Sequence, residues 1–175
     1  MALCNLSGKT KLASAIEGPR YKVVRSESDF EVRLYDESSW MSASVRGSSF
    51  NLSTASGFHS GNADYTVRFY ISPKYKGNPP QPNPELKLHL DKWNSHCVAV
   101  RKFSGFAGDN NIDEEVKALV SSINKRWPPE NSAAIQDKGS YSIAQYNGSD
   151  TASGRLNEAW INISGAIVGG CPPSQ

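Results

Sequence analysis

The sequence predicts an α+β domain: strands dominate, one strong helix stands in the second half, and that half reads strand, strand, helix, strand, strand. Three observations carry this. Short β-branched runs alternate at period two, a single stretch holds apolar residues at helical spacing, and Pro/Gly clusters separate them. A chain of 175 residues is one ordinary domain, long enough to bury a core without staples.

Residues 1–18 read as a polar leader ending at Gly18-Pro19, residues 19–164 as the domain, and 165–175 as a loose tail. Tyr21-Lys-Val-Val-Arg25 predicts the first strand. Phe30-Glu-Val-Arg-Leu-Tyr35 predicts the second, with Phe30, Val32 and Leu34 on one face and Glu31, Arg33 and Tyr35 on the other. Trp40-Met-Ser-Ala-Ser-Val45 is a third strand. Ser48 to Asp64 is Ser/Gly/Asn-rich and carries no period, and then Tyr65-Thr-Val-Arg-Phe-Tyr-Ile71 gives the strongest strand signal in the chain.

Gly77-Asn-Pro-Pro-Gln-Pro-Asn-Pro84 predicts a proline-stiffened connection. Leu86-Lys-Leu-His-Leu90 alternates, with Leu86, Leu88 and Leu90 inward and His89 outward. His96 to Phe103 follows as another strand, and Gly105-Phe-Ala-Gly108 turns into the helix, which is expected over Ile112 to Lys125. Ile112, Val116, Leu119, Val120 and Ile123 make its apolar face, with Asn111 as N-cap, Glu114 in the capping-box position, and Pro128-Pro129 as the stop. Tyr141 to Tyr146 and Leu156 to Ile163 supply two final strands. The first half lacks a comparable helix, so part of its sheet is left without a cover.

Composition narrows the function. A net charge of +2 gives no electrostatic footprint for nucleic acid, and no apolar run is long enough to span a membrane. Cys4, Cys97 and Cys171 form no zinc-like cluster. A Cys97–Cys171 disulfide requires an oxidising compartment, and spacing does not show that the two meet. Four Asn-x-Ser sequons, at Asn5, Asn51, Asn147 and Asn162, favour a secretory origin. The first sixteen residues lack the apolar run of a signal peptide and, taken literally, predict the cytoplasm, with secretory pathway and plastid as alternatives. No nucleophile elbow, HExxH or paired-carboxylate motif points to an enzyme. Gly105-Phe-Ala-Gly108 lacks the lysine and glycine spacing of a phosphate loop.

An ordered set of segments resembles the SOUL haem-binding family, in particular its plant branch. These are Gly18-Pro-Arg-Tyr-Lys-Val-Val24, Phe30 to Tyr35, Tyr65-Thr-Val-Arg-Phe-Tyr70, Pro79-Pro-Gln-Pro82, Ser95-His-Cys-Val-Ala-Val-Arg101, Phe103-Ser-Gly105, Asp109-Asn-Asn111, Tyr141 to Tyr146, and Gly154-Arg-Leu-Asn-Glu-Ala-Trp160. The resemblance implies a curved, antiparallel, barrel-like sheet from two strand-strand-helix-strand-strand repeats. It also implies non-covalent binding of haem or another tetrapyrrole, without catalysis. Here the chain departs from the pattern after Gly57-Phe-His59. The family continues into its first helix and a further strand, whereas Ser60-Gly-Asn-Ala-Asp64 leads directly to the next strand.

In the family the porphyrin occupies a shallow groove beside that first helix. Carried over, the expected ligand-facing residues are Trp40, Met41, Phe50, Phe58, His59 and Arg155, with His59 as the candidate iron ligand. The plainer readings are core packing for Trp40 and Met41, an exposed imidazole for His59, and an ion pair with Glu158 for Arg155. His96 is expected to be structural. A second function class is a shortened product that binds no ligand and self-associates, or recruits a protein partner, through an uncovered face of Phe30, Val32 and Leu34.

Overall fold

The computed structural model describes residues 2–3, 17–46, 64–75, 77–127, 140–146, 156–164 and 168–172. Nine strands are β1 Ala2–Leu3, β2 Tyr21–Ser26, β3 Glu31–Tyr35, β4 Ser38–Arg46, β5 Asp64–Ile71, β6 His89–Trp93, β7 His96–Ser104, β8 Ser142–Gln145 and β9 Leu156–Ile163. They form one sheet in the order β2-β3-β7-β9-β8-β1-β5-β4-β6, antiparallel except where the two-residue β1 joins β5 and β8 in parallel. The single α-helix among the described residues, α1, spans Asp109–Arg126. From β6 onward the order is strand, strand, helix, strand, strand, as the sequence predicts.

The sheet curls, so it has an inner and an outer face. On the inner face Tyr35, Trp40, Val98, Val100, Ala144 and Trp160 pack together, with Tyr70, Trp93 and Tyr146 against them. Trp93 of β6, at one end of the strand order, lies 5.3 Å from the His96 ring, which stacks on Tyr35 near the other end. These contacts bring the two ends of the sheet towards each other, which gives the barrel-like curvature without closing the hydrogen-bonded ring.

The outer face divides into two halves. On β3, β7, β9 and β8 it packs against α1: Val32, Cys97, Ala99, Phe103, Ile143, Ala159, Ile161 and Ile163 meet Ile112, Leu119 and Ile123. Phe30 sets its ring 6.1 Å from Trp127, edge to face, just past the helix end. The expected uncovered face of Phe30, Val32 and Leu34 is therefore corrected. Phe30 and Val32 are buried and Leu34 is half-buried, because the helix of the second half lies over them.

Both faces of β3 are interior, so Arg33 is as buried as Val32 despite its charge. Its Nη1 donates to Oε1 and Oε2 of Glu158 at 3.0 and 3.1 Å and to the Tyr35 hydroxyl at 3.1 Å. The Tyr146 hydroxyl and Trp160 Nε1 donate to the same carboxylate at 2.7 and 2.9 Å. Burial pulls the Arg33 pKa down, but the Glu158 charge outweighs it and the net shift is upward. The Tyr35 hydroxyl is pushed up, chiefly by burial.

Several local expectations shift. The helix starts earlier than predicted, with Gly108 rather than Asn111 at the N-cap. Asn111 instead reaches back from the third helical position: its Oδ1 accepts from Gly108 N at 2.8 Å and its Nδ2 donates to the Phe106 carbonyl at 2.6 Å. Gly105 takes φ +87°, a turn conformation that disfavours side chains. The strand expected from Leu86 begins only at His89. Leu86 sits in a 3₁₀ turn, Pro84–Leu86, and both Leu86 and Leu90 are exposed rather than inward. His89 is exposed, as expected. Cys97 and Cys171 are joined by a disulfide with Cα atoms 5.7 Å apart, tying the segment after β9 to the start of β7.

Candidate functional site

The other half of the outer face, on β4, β5 and β6, has no described helix over it. Register and alternation decide what it presents. Met41 pairs with Phe69 on one side and Leu90 on the other, so Phe69–Met41–Leu90 forms one row across three strands. Phe69 is 40% exposed, Leu90 is 41% exposed, and Met41 is half-buried. The next row is Ile71–Ser39–Lys92, in the same registers and on the same face.

That second row lines a groove of about 500 Å³. Pro73, Tyr75 and Pro79, from the connection after β5, form its outer wall, and Tyr70 and Trp93 close the end where the sheet turns inward. Tyr75 is held by the 3₁₀ turn Pro73–Tyr75, where its backbone N–H donates to the Ser72 carbonyl at 3.0 Å. The volume falls in the ordinary range for small-molecule clefts, roughly 300–1,000 Å³. An apolar shelf thus runs into an aromatic-walled groove, with the Lys92 ammonium group on the same face.

The structure separates two residues that the sequence reading placed together. Adjacent strand residues point to opposite faces, and Trp40 and Met41 do so. Trp40 is fully buried on the inner face, its ring 5.5 Å from Tyr70 and 5.0 Å from Trp93, its indole N–H donating to Ser38 Oγ at 3.0 Å. It therefore stands behind the groove's end wall and not on its floor. Met41 is on the shelf. Phe50, Phe58, His59 and Arg155 lie outside the described residues. Glu158, the alternative partner weighed for Arg155, has its carboxylate engaged by Arg33, Tyr146 and Trp160.

Neither described strand histidine is on this face. His89 alternates with Leu90 and approaches Asp91 at 3.4 Å. His96 lies between Tyr35 and Trp93 with Nδ1 2.7 Å from the Asn94 carbonyl, so Nδ1 carries the proton. Burial lowers its pKa, against the opposing Asn94 hydrogen bond, and the imidazole is neutral at physiological pH. Among the described residues no three His, Cys, Asp or Glu side chains gather into a metal site.

Sequence reasoning missed Phe69, Leu90, Lys92 and Tyr75. The alternation of Tyr65 to Ile71 does put Phe69 and Ile71 on one face, but only the pairing with β4 shows that this face is outward.

No curated protein sequence matches the chain. The family model described as SOUL heme-binding protein does match, over residues 16–60 and 59–162, two stretches that meet beside His59. With the match running from ahead of β2 almost to the end of β9, the chain belongs to the SOUL haem-binding protein family.

Proposed function

We propose that this chain binds haem or a related tetrapyrrole non-covalently, as a carrier, buffer or scavenger, and performs no chemistry on it. The carrying observation is the row Phe69–Met41–Leu90, exposed at Phe69 and Leu90, leading into the groove beside Lys92. Strands stand roughly 4.8 Å apart, so three of them offer a flat apolar shelf about 10 Å wide, suited to the face of a macrocycle. Lys92 supplies a cation for a propionate carboxylate, and Tyr75 and Trp93 supply ring contacts. When bound, the iron of haem would bring its own ligand chemistry; the chain's part is burial and orientation.

In this reading Phe50 and Phe58 extend the apolar contact, Arg155 meets a second propionate, and His59 ligates the iron. Met41 offers a thioether on the shelf. Trp40 acts from behind, fixing Tyr70 and Trp93. The two family-matched stretches that meet at residues 59–60 support the reading that the first repeat is shortened there and lacks its helix. A shallower groove and weaker affinity follow.

The test is a haemin titration of the purified chain followed at the Soret band. A saturable, shifted band at one equivalent supports the proposal, and its loss in His59→Ala assigns the ligand. Featureless, non-saturating absorbance overturns it. A second reading draws on the same shelf: Phe69 and Leu90 are exposed close to the edge strand β6, an arrangement that also suits a second copy of the chain. Light scattering separates the two. A haemin-independent dimer favours self-association, and a monomer stabilised by haemin favours the ligand.

A further inference from the structure

Two features at one end of β9 belong to the chemistry of an oxidising lumen and play no part in the proposed tetrapyrrole site. One is the Cys97–Cys171 disulfide. The other is Asn162-Ile-Ser164, an acceptor sequence for N-linked glycans. The register puts them side by side: Cys97 pairs with Ile163, and Val98 pairs with Asn162.

Asn162 stands out from its surroundings. Ile161, Ile163 and Ser164 are all buried, whereas Asn162 is exposed. No hydrogen bond joins its amide to another of the described residues. Asparagine is also a poor strand former, which leaves its place in β9 without a packing or propensity reason. On the β8 side the ladder ends at Ser142↔Trp160, two residues short of Asn162, so no paired strand crowds that flank. A glycan there would project into solvent without displacing a core contact.

We infer that Asn162 is an N-glycosylation site and that the chain matures in an oxidising, glycan-transferring compartment. The transfer uses a lipid-pyrophosphate-linked oligosaccharide as donor and the host's membrane-bound transferase. Nδ2 of Asn162 forms a bond to C1 of the first sugar as the C1–oxygen bond breaks. The lipid pyrophosphate leaves, and the amide nitrogen gives up one proton. Transfer onto the unfolded chain precedes folding, and the exposure of Asn162 lets the glycosylated chain close the Cys97–Cys171 bond.

The experiment is site-resolved peptide mapping of the full chain purified from the cells that naturally make it. Digestion with a peptide N-glycosidase in heavy-oxygen water converts a glycosylated asparagine to labelled aspartate. The expected result is labelled aspartate at position 162, with Cys97 and Cys171 resistant to alkylation until reduced. Asn162→Gln then lowers the intact mass by one glycan. Recovery of the peptide with unmodified Asn162 overturns the inference, and so does free alkylation of both cysteines without reductant.

Discussion

The Arg33 guanidinium and the Glu158 carboxylate face each other across the inner surface of the curled sheet, 3.0 Å apart and with side chains 1% and 3% exposed. Nη2 of Arg33 also lies 2.8 Å from Oε2 of Glu31 at the rim, close enough for ion pairing. A pair this deep adds little over a well-packed apolar pair, but losing one partner strands the other. Either Arg33→Met or Glu158→Leu alone is expected to lower stability by about 3–5 kcal/mol in urea denaturation. The double substitution Arg33→Met/Glu158→Leu should recover only part of that loss, because Tyr146 and Trp160 then have no acceptor for their donors. Strict additivity of the two single effects would argue that the pair is not coupled.

The disulfide closes a loop with a sequence separation of 74. In the chain-entropy account such a loop stabilises the fold by ~4 kcal/mol through the unfolded state. Cys97→Ser/Cys171→Ser, or reduction of the native chain, should therefore lower the thermal midpoint clearly. It should also loosen the Val168 and Cys171 contacts with the α1-side core. An unchanged midpoint under a reductant that demonstrably frees both thiols would contradict this.

His96 sets a pH window. Its folded pKa lies below the unfolded value of about 6.5, so below that value the unfolded chain binds more protons and stability falls with falling pH. The loss continues until the folded pKa is reached. A urea midpoint that drops between pH 7.5 and 5.5 in the native chain, and less in His96→Gln, is the expected outcome. Asp29 and Glu31 act in a separate window. Asp29 is lowered chiefly by its hydrogen bond from Ser122. Glu31 is raised by burial but lowered further by Arg33. Their stabilisation is present above roughly pH 4 and lost as acid carries the solution through their folded pKa values.

The shelf predicts a separation of binding from stability. Phe69→Ser and Leu90→Ser remove side chains that are already exposed, so the ligand-free protein should change little in stability. Each should weaken haemin binding about tenfold, the equivalent of burying somewhat less than a full apolar side chain on the ligand. Lys92→Glu should weaken it further for propionate-bearing porphyrins than for their esterified forms. Unaltered titration curves for all three variants would move the site elsewhere.

Leu119→Ala tests the covered half. Leu119 is fully buried at the middle of α1, and its truncation is expected to cost about 2–5 kcal/mol. A smaller effect would mean that α1 packs on the sheet more loosely than its contacts with β7 and β9 require.

Local pattern carries far in this chain, and its limits have definite causes. Period-two runs place seven of the strands within a residue or two, with β9 at its observed ends, because successive strand residues alternate between faces; β6 begins three residues later than its pattern suggests, and the two-residue β1 lies in the stretch read as a leader. The helix face is legible for the same reason at period 3.6. What alternation does not encode is which side of a curled sheet is the interior. Arg33 reads as an ordinary polar position, yet its burial depends on Glu158, 125 residues away. Leu86 and Leu90 read as core and are exposed, since no described element covers that side of β6. Trp40 and Met41 are neighbours in sequence and lie on opposite faces, so a floor drawn from both is not available on one strand.

The half-covered sheet has a consequence for how the protein breathes. Strands β3, β7 and β9 have packed side chains above and below, whereas β4, β5 and β6 have their aromatic layer on one side and exposed Phe69 and Leu90 on the other. Sub-global opening follows the weaker layer. Backbone amides of β4–β6 should exchange with deuterium well before those of β7 and β9, in a separate cooperative unit. A ligand seated on the shelf would then act mainly by slowing that first opening, leaving the slowest amides of the molecule unmoved.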